Sequence, residues 1–271
     1  MISVSPKFMA TDAGQLFTLH FQPQHPPRAL IIHIPAYGEE MNRMRHICLQ
    51  QGEMFAREGY YCISIDLYGT GDSSGELADA TWAVWKAGVI SVINSVNPQR
   101  NLKTILWGTR LGGLLAADVA NSEPDDCDAL LLWQPVTAGR AYMTQVLRQR
   151  VAKLVDRGEK PETTKEIREN LAAGQNVEVG GYVLGGKLVA EIDQVELLNM
   201  PALKGKALHW VERSITAGGA ATLARTRVDE YLRASGNAVE IVELDFPPLW
   251  ELPRRADMSQ LLASTTALPL A

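Results

Sequence analysis

The chain has few cysteines. Cys48, Cys62 and Cys127 are far apart and show neither CxxC nor Cys/His ligand spacing. That set excludes a disulfide framework and a cysteine-based metal site, and it fits a reducing compartment. A cytoplasmic location is therefore expected, with no metal and no cofactor. The sequence also lacks any window of about 18 apolar residues, and its first fourteen residues hold no apolar stretch of signal-peptide length, so membrane insertion is not expected. Positive charge is not in excess: 26 Lys and Arg stand against 31 Asp and Glu, a formal net charge of −5. Without a basic face, nucleic acid is a poor candidate partner. Internal repeats and low-complexity tracts are missing as well.

What remains is a chain of 271 residues, 46% hydrophobic and 21% charged, long enough to bury a full core. Short apolar runs alternate with long amphipathic stretches, the pattern of a mostly parallel sheet with flanking helices. A hairpin is expected over 7–22 around Asp12-Ala13-Gly14. Strands are expected over 29–34, 60–65, 104–107, 129–133, 207–211 and 239–244, and helices over 41–58, 81–96, 111–119, 220–234 and 258–267. Between 138 and 203 the sequence turns polar and helical, with helices over 142–157 and 162–173 and no convincing buried strand. This predicts a core of 1–137 and 204–271 interrupted by a helical lid insertion over 138–203.

The most informative segment is Gly108-Thr109-Arg110-Leu111-Gly112, where a strand runs into a helix in the frame G-x-S-x-G. Its flanking glycines let strand and helix approach closely, but Arg110 occupies the serine position. Ala36 and Tyr37 follow the first buried strand, where an oxyanion hole takes a backbone N–H, and Leu111 follows the elbow residue. Asp66 leads into the glycine-rich turn Gly69-Thr70-Gly71-Asp72-Ser73. Over nearly its whole length the chain thus resembles the α/β-hydrolase superfamily. Within it, the segments Pro35-Ala-Tyr-Gly-Glu-Glu-Met-Asn-Arg-Met-Arg45, Trp107-Gly-Thr-Arg-Leu-Gly-Gly113 and Phe246-Pro-Pro-Leu-Trp250 are similar to the exosortase A system-associated hydrolase 2 type. That resemblance implies a bacterial cytoplasmic protein linked to exopolysaccharide production and the sorting of surface proteins.

The superfamily mechanism requires a nucleophile at the elbow, an acid after a later strand and a histidine after the last one. Here Arg110 stands first, Glu212 is at most a relic of the second, and no histidine follows His209. A guanidinium with a pKa of about 12.5–13.8 stays protonated and cannot attack. The expectation is a non-catalytic protein binding an anionic metabolite (a carboxylate or phosphate) or a protein partner. Its site would comprise Arg110, Leu111, Ala36, Tyr37, Glu39, Glu40 and Trp250. An internal ion pair of Arg110 with Glu39, Glu40 or Asp66 stands level with an external anion. The alternative is an ester or thioester hydrolase with a non-standard active site.

Other motifs read as structural. Gly181-Tyr-Val-Leu-Gly-Gly-Lys187 matches the start of a phosphate-binding loop, but Leu188 replaces the magnesium-binding Ser or Thr, so a glycine-punctuated entry to a lid helix is expected. Ser73 and Ser74 belong to a turn. Cys62 and His33 lie in apolar strands, His209 adjoins Trp210, and Trp82, Trp85, Trp107 and Trp133 are expected in the core.

Overall fold

The computed structural model describes residues 2–214, 222–252 and 256–271. The chain opens with the antiparallel pair β1 (Ser3–Thr11) and β2 (Gly14–Gln22), which starts earlier than the expected hairpin. There follow β3 (Ala29–Ile34), α1 (Glu39–Arg57), β4 (Tyr60–Ile65), α2 (Trp82–Val96), β5 (Thr104–Thr109), α3 (Leu111–Ser122) and β6 (Ala129–Trp133). An insertion carries α4 (Gly139–Asp156), α5 (Thr164–Ala172), β7 (Val177–Val179), β8 (Tyr182–Leu184) and α6 (Gly186–Ile192). The chain closes with β9 (Ala207–Arg213), α7 (Leu223–Ala234), β10 (Ala238–Leu244) and α8 (Ser259–Thr266). The start of the helix expected over 220–234 falls on residues 220 and 221, outside the described residues.

Eight strands form one sheet in the order β1-β2-β4-β3-β5-β6-β9-β10. All pairs from β4 to β10 are parallel, and only β1–β2 and β2–β4 are antiparallel. This is the α/β-hydrolase fold. β3, β5 and β6 are buried along their whole length, as strands covered on both faces must be. One face carries α2, α3 and the insertion, whose Met143, Leu147, Ile167 and Leu188 join Leu114 and Leu115 of α3 in a single core. The other face packs Ile47 and Phe55 of α1 and Leu261 of α8 against Trp107 and Trp133.

The structure corrects the reading of the insertion as helical only. Val177–Val179 and Tyr182–Leu184 pair as a short antiparallel hairpin turning at Gly180 and Gly181, both at positive φ. Three-residue strands are too short to show a readable alternation. The phosphate-loop look-alike spans the end of this hairpin and the start of α6.

Candidate functional site

The site is built on the turn between β5 and α3. Arg110 sits there at φ 54°, ψ −119°, a left-handed conformation costly for a residue with a Cβ. Two glycines make the turn possible. A Cβ on Gly108 would come within 2.4 Å of the Gly112 carbonyl oxygen, and one on Gly112 within 2.3 Å of the carbonyl oxygens of Ile34 and Pro35. Strand, helix and the β3 loop thus approach more closely than any other residue allows. The Arg110 N–H donates to Trp133 O (3.0 Å), and its carbonyl accepts from Val136 N (3.1 Å).

From this turn the Arg110 side chain reaches Glu40. Nη2 donates to Oε1 at 3.2 Å and Nε to Oε2 at 3.3 Å, while Nη1 donates to the Gln134 carbonyl at 3.2 Å. The guanidinium lies 4.6 Å from the centre of the Trp250 ring, and Tyr142 of α4 donates its hydroxyl to Glu40 Oε2 at 3.0 Å. Burial, reinforced by the Glu40 charge, pushes the Tyr142 hydroxyl well above its ordinary pKa, so it remains a donor. Glu39 and Glu40 occupy the first turn of α1, where the helix dipole favours carboxylates. Together these groups wall a cavity of about 340 Å³, also lined by Tyr37, Arg43, Tyr182 and Glu251.

The structure therefore brings Arg110, Glu40, Glu39, Tyr37 and Trp250 to one cavity. Of the three carboxylates considered as Arg110 partners, Glu40 takes the role; Glu39 pairs with Arg43 (3.4 Å) and Asp66 with Arg45 (2.9 Å). Ala36 and Leu111 line a tight apolar pocket alongside, walled by Trp82, Trp85 and Leu115, and Tyr37 faces both spaces. Of the first N–H groups of α3, that of Gly113 donates to the Arg110 carbonyl at 3.0 Å. Glu212 lies elsewhere: it is bound by Arg225 and by Trp210 Nε1 (3.0 Å), and burial raises its pKa. It does not line the cavity.

Several cavity residues carried no sequence signal. Tyr142 is one tyrosine in an amphipathic helix, and Tyr182 lies inside the phosphate-loop look-alike, where its hydroxyl accepts from Asn42 of α1 at 2.7 Å. Arg43 donates to the Glu251 carbonyl at 2.7 Å, which fixes the loop bearing Trp250. Only folding reveals these contacts. Among the described residues no group of three or more His, Cys, Asp or Glu is arranged to hold a metal, and no helix is long and apolar enough to cross a membrane.

The remaining candidates are structural. Ser73 Oγ accepts from Phe17 N (2.8 Å) and donates to Asp66 O (2.5 Å), so it pins the turn. Burial pushes the Cys62 thiol up and keeps it inert. His209 Nδ1 is 2.9 Å from Glu240 on the neighbouring strand. His33 Nδ1 is 2.9 Å from Ser64 Oγ, the spacing of a base and a nucleophile, but burial, aided by Arg45, lowers the His33 pKa to about 3. A useful base has a pKa near 7.

That neutral histidine has a measurable consequence. In the unfolded chain the group titrates near 6.5, so below that pH the unfolded state binds a proton that the fold refuses. Stability from His33 is complete above about pH 6.5 and falls as pH drops toward 3. Between pH 7 and pH 4.5 the loss should be about 2–3 kcal/mol. Urea melts at the two pH values should show it for the wild type and show less of it for His33→Asn; equal losses would mean that His33 is protonated in the fold.

Comparison with known proteins follows this geometry. The family model described as serine aminopeptidase, S33, matches residues 25–166. The palmitoyl-protein thioesterase ABHD10, mitochondrial, of Mus musculus is 34% identical over 103 residues, 37% of this chain and 32% of that protein, and the Homo sapiens protein is 33% identical over the same length. The match spans about a third of these relatives' length. Among solved structures, Est1E from Butyrivibrio proteoclasticus with bound ferulic acid superposes with a TM-score of 0.65 at 14% identity, covering 96% of both chains. Mouse alpha/beta hydrolase domain-containing protein 10 gives 0.59 at 18% identity, again over 96% of both. At those identities the superpositions speak to fold alone.

These matches correct the expected exosortase-associated type, together with the bacterial exopolysaccharide link drawn from it. The segments that carried it are the elbow and the loops beside it, which the fold brings to one site. The non-catalytic expectation is corrected too: the matches favour its alternative, an ester or thioester hydrolase with a non-standard site.

Proposed function

Since the chain belongs to the serine aminopeptidase, S33, family, with more than half its length matched, we propose that it is an acyl hydrolase, cleaving an ester or thioester by direct attack of water. The observation that carries this reading is the Arg110–Glu40 pair on the strained elbow, facing a cavity of about 340 Å³. Among the described residues no serine, cysteine or histidine lines that cavity. Its hydroxyls are those of Tyr37, Tyr142 and Tyr182, and burial raises the pKa of each, so none is activated to carry an acyl group. The charged pair supplies what a water route needs.

In this route the substrate carbonyl oxygen lies against the N–H groups of the Arg110 guanidinium that face the cavity. Donors fixed in advance stabilise the negative charge that develops on that oxygen. Glu40, whose Oε1 accepts from Arg110 and whose Oε2 accepts from Arg110 and Tyr142, takes a proton from water on a remaining lone pair as the water oxygen bonds to the acyl carbon. The C–O or C–S bond then breaks, and the proton passes to the departing oxygen or sulfur. The relatives' thioesterase name supports including thioesters.

The test is hydrolysis of a panel of short acyl thioesters and p-nitrophenyl esters. Turnover by the wild type is expected, with kcat/KM lowered at least 100-fold in Arg110→Met, the scale on which loss of one oxyanion donor acts. A fluorophosphonate probe should leave the protein unlabelled, and quenched reactions should show no acylated protein by mass spectrometry. Absence of turnover across the panel would sink the reading, and an acyl-enzyme would replace the water route.

A further inference from the structure

Gln134, immediately after β6, adopts φ 42°, one of three non-glycine residues at positive φ among the described residues. L residues other than Asn, Asp and His enter this region sparingly, and a departure that persists must be held by its surroundings. Here the holding groups are evident. The Gln134 N–H donates to Val211 O at 2.8 Å, and its side-chain Oε1 accepts from Arg213 N at 2.8 Å. Both partners belong to β9, so backbone and side chain are tied to the same neighbouring strand. The Gln134 carbonyl is left over, and Arg110 Nη1 takes it at 3.2 Å. The next residue, Pro135, packs so closely on the elbow helix that a Cβ on Gly113 would lie 2.9 Å from Pro135 Cβ. The whole turn is thus seated against the elbow.

We propose that Gln134 is a positioning residue: its strained backbone, anchored to β9 by its own side chain, aims the carbonyl that orients the Arg110 guanidinium toward Glu40 and the cavity. Its kinetic consequence rests on the acyl-hydrolase reading, while the orienting role stands on the geometry. The two-point contact with Glu40 aligns the guanidinium with that carboxylate but ties it only to α1. The Gln134 carbonyl supplies a second, differently directed acceptor that ties it to the end of β6, which matters because small errors in the placement of a reacting group are costly in rate.

Two substitutions separate anchor from backbone. Gln134→Ala removes the Oε1 anchor yet keeps a Cβ that disfavours positive φ, so the turn should relax and withdraw the carbonyl. Gln134→Gly removes the anchor but accepts positive φ freely and should retain most of the orientation. With an acyl thioester, Gln134→Ala is expected to lower kcat about tenfold with KM within twofold, and Gln134→Gly to recover most of that loss. A readout independent of turnover is the side-chain ¹⁵N–¹H spectrum of Arg110, assigned by its disappearance in Arg110→Lys. Separate Nη signals, reporting a guanidinium held from two directions, should be seen in the wild type and Gln134→Gly and should merge in Gln134→Ala.

Identical Arg110 spectra in all three proteins, or Ala and Gly variants equally impaired, would overturn the proposal. Should Gln134→Ala fail to fold, Gln134→Asn takes its place: it accepts positive φ but is one methylene short of Arg213 N. It should then resemble Gln134→Gly in the spectrum, and merged signals there would count against the proposal. A wild type without hydrolysis would defeat the functional reading while leaving the spectral test to decide the orienting role.

Discussion

Glu40→Gln is expected to lower kcat for thioester hydrolysis by about 10²–10⁴-fold, the range general-base catalysis commonly supplies. The amide keeps the shape of the side chain and can still accept through its oxygen from Tyr142 or Arg110, but it cannot take a proton from water. The same change leaves a guanidinium with only 13% of its side chain exposed short of its counter-charge. The Gln134 carbonyl and the Trp250 ring soften that loss. A stability cost of about 2 kcal/mol is expected, below the 3–5 kcal/mol of a fully buried pair because Glu40 retains some exposure. Steady-state kinetics of the folded variant separate the two effects, and added formate should restore part of the rate to Glu40→Ala by supplying a carboxylate. A Glu40→Gln enzyme with wild-type kcat would show that Glu40 only holds Arg110, and a different base would have to be sought.

Gly112→Ala should be severely damaging to the fold, destabilising by about 3–5 kcal/mol or preventing folding. An added Cβ would lie 2.3 Å from two backbone carbonyl oxygens, those of Ile34 and Pro35, and 2.8 Å from the Ile34 carbonyl carbon. Backbone at the end of a buried strand cannot step aside as a flexible side chain does, so α3 must be displaced, and overpacking of this kind is already costly for one methylene. Gly158→Ala is a contrast: it lies at positive φ with nothing within 4 Å, so only the conformational penalty of about 1 kcal/mol applies. Denaturant melts should rank them in that order. Comparable losses would mean that the elbow can open without cost.

The parts of this molecule legible in the sequence are those fixed by local pattern. The continuous apolar runs at β3, β5 and β6 mark strands buried on both faces, and Gly108 and Gly112 mark the close approach of strand and helix. Arg110 is conspicuous as a charge where a hydroxyl belongs. Its partner is not, since Glu39, Glu40 and Asp66 are all carboxylates and are distinguished only by where α1 begins and β4 ends. Gln134 was invisible because its strain is imposed by β9, some 80 residues further along the chain. The subgroup rests on three short segments around the elbow, too little chain to outweigh the matches that span 103 residues and more. The inference from a missing serine to missing catalysis assumed a single chemical route, whereas an arginine and a carboxylate can polarise a carbonyl and a water without a covalent step.

The hairpin of β7 and β8 touches the mouth of the cavity through Tyr182, whose hydroxyl accepts from Asn42 and donates to Glu39 at solvent-exposed contacts, while a side chain at Gly180 or Gly181 would point into open space. Val177, Val179 and Leu184 bury the hairpin strands in the same core as Met143, Leu147 and Ile167 of the insertion's helices, and Arg150 donates to the Glu178 carbonyl at 3.0 Å. An exposed hydrogen bond adds only about 0.5–1.5 kcal/mol net to such packing. The wall that the hairpin gives the cavity is therefore backbone and one aromatic ring set on a fixed base, so an acyl chain meets there a surface shaped by Gly180 and Tyr182 and by no charged group of the hairpin.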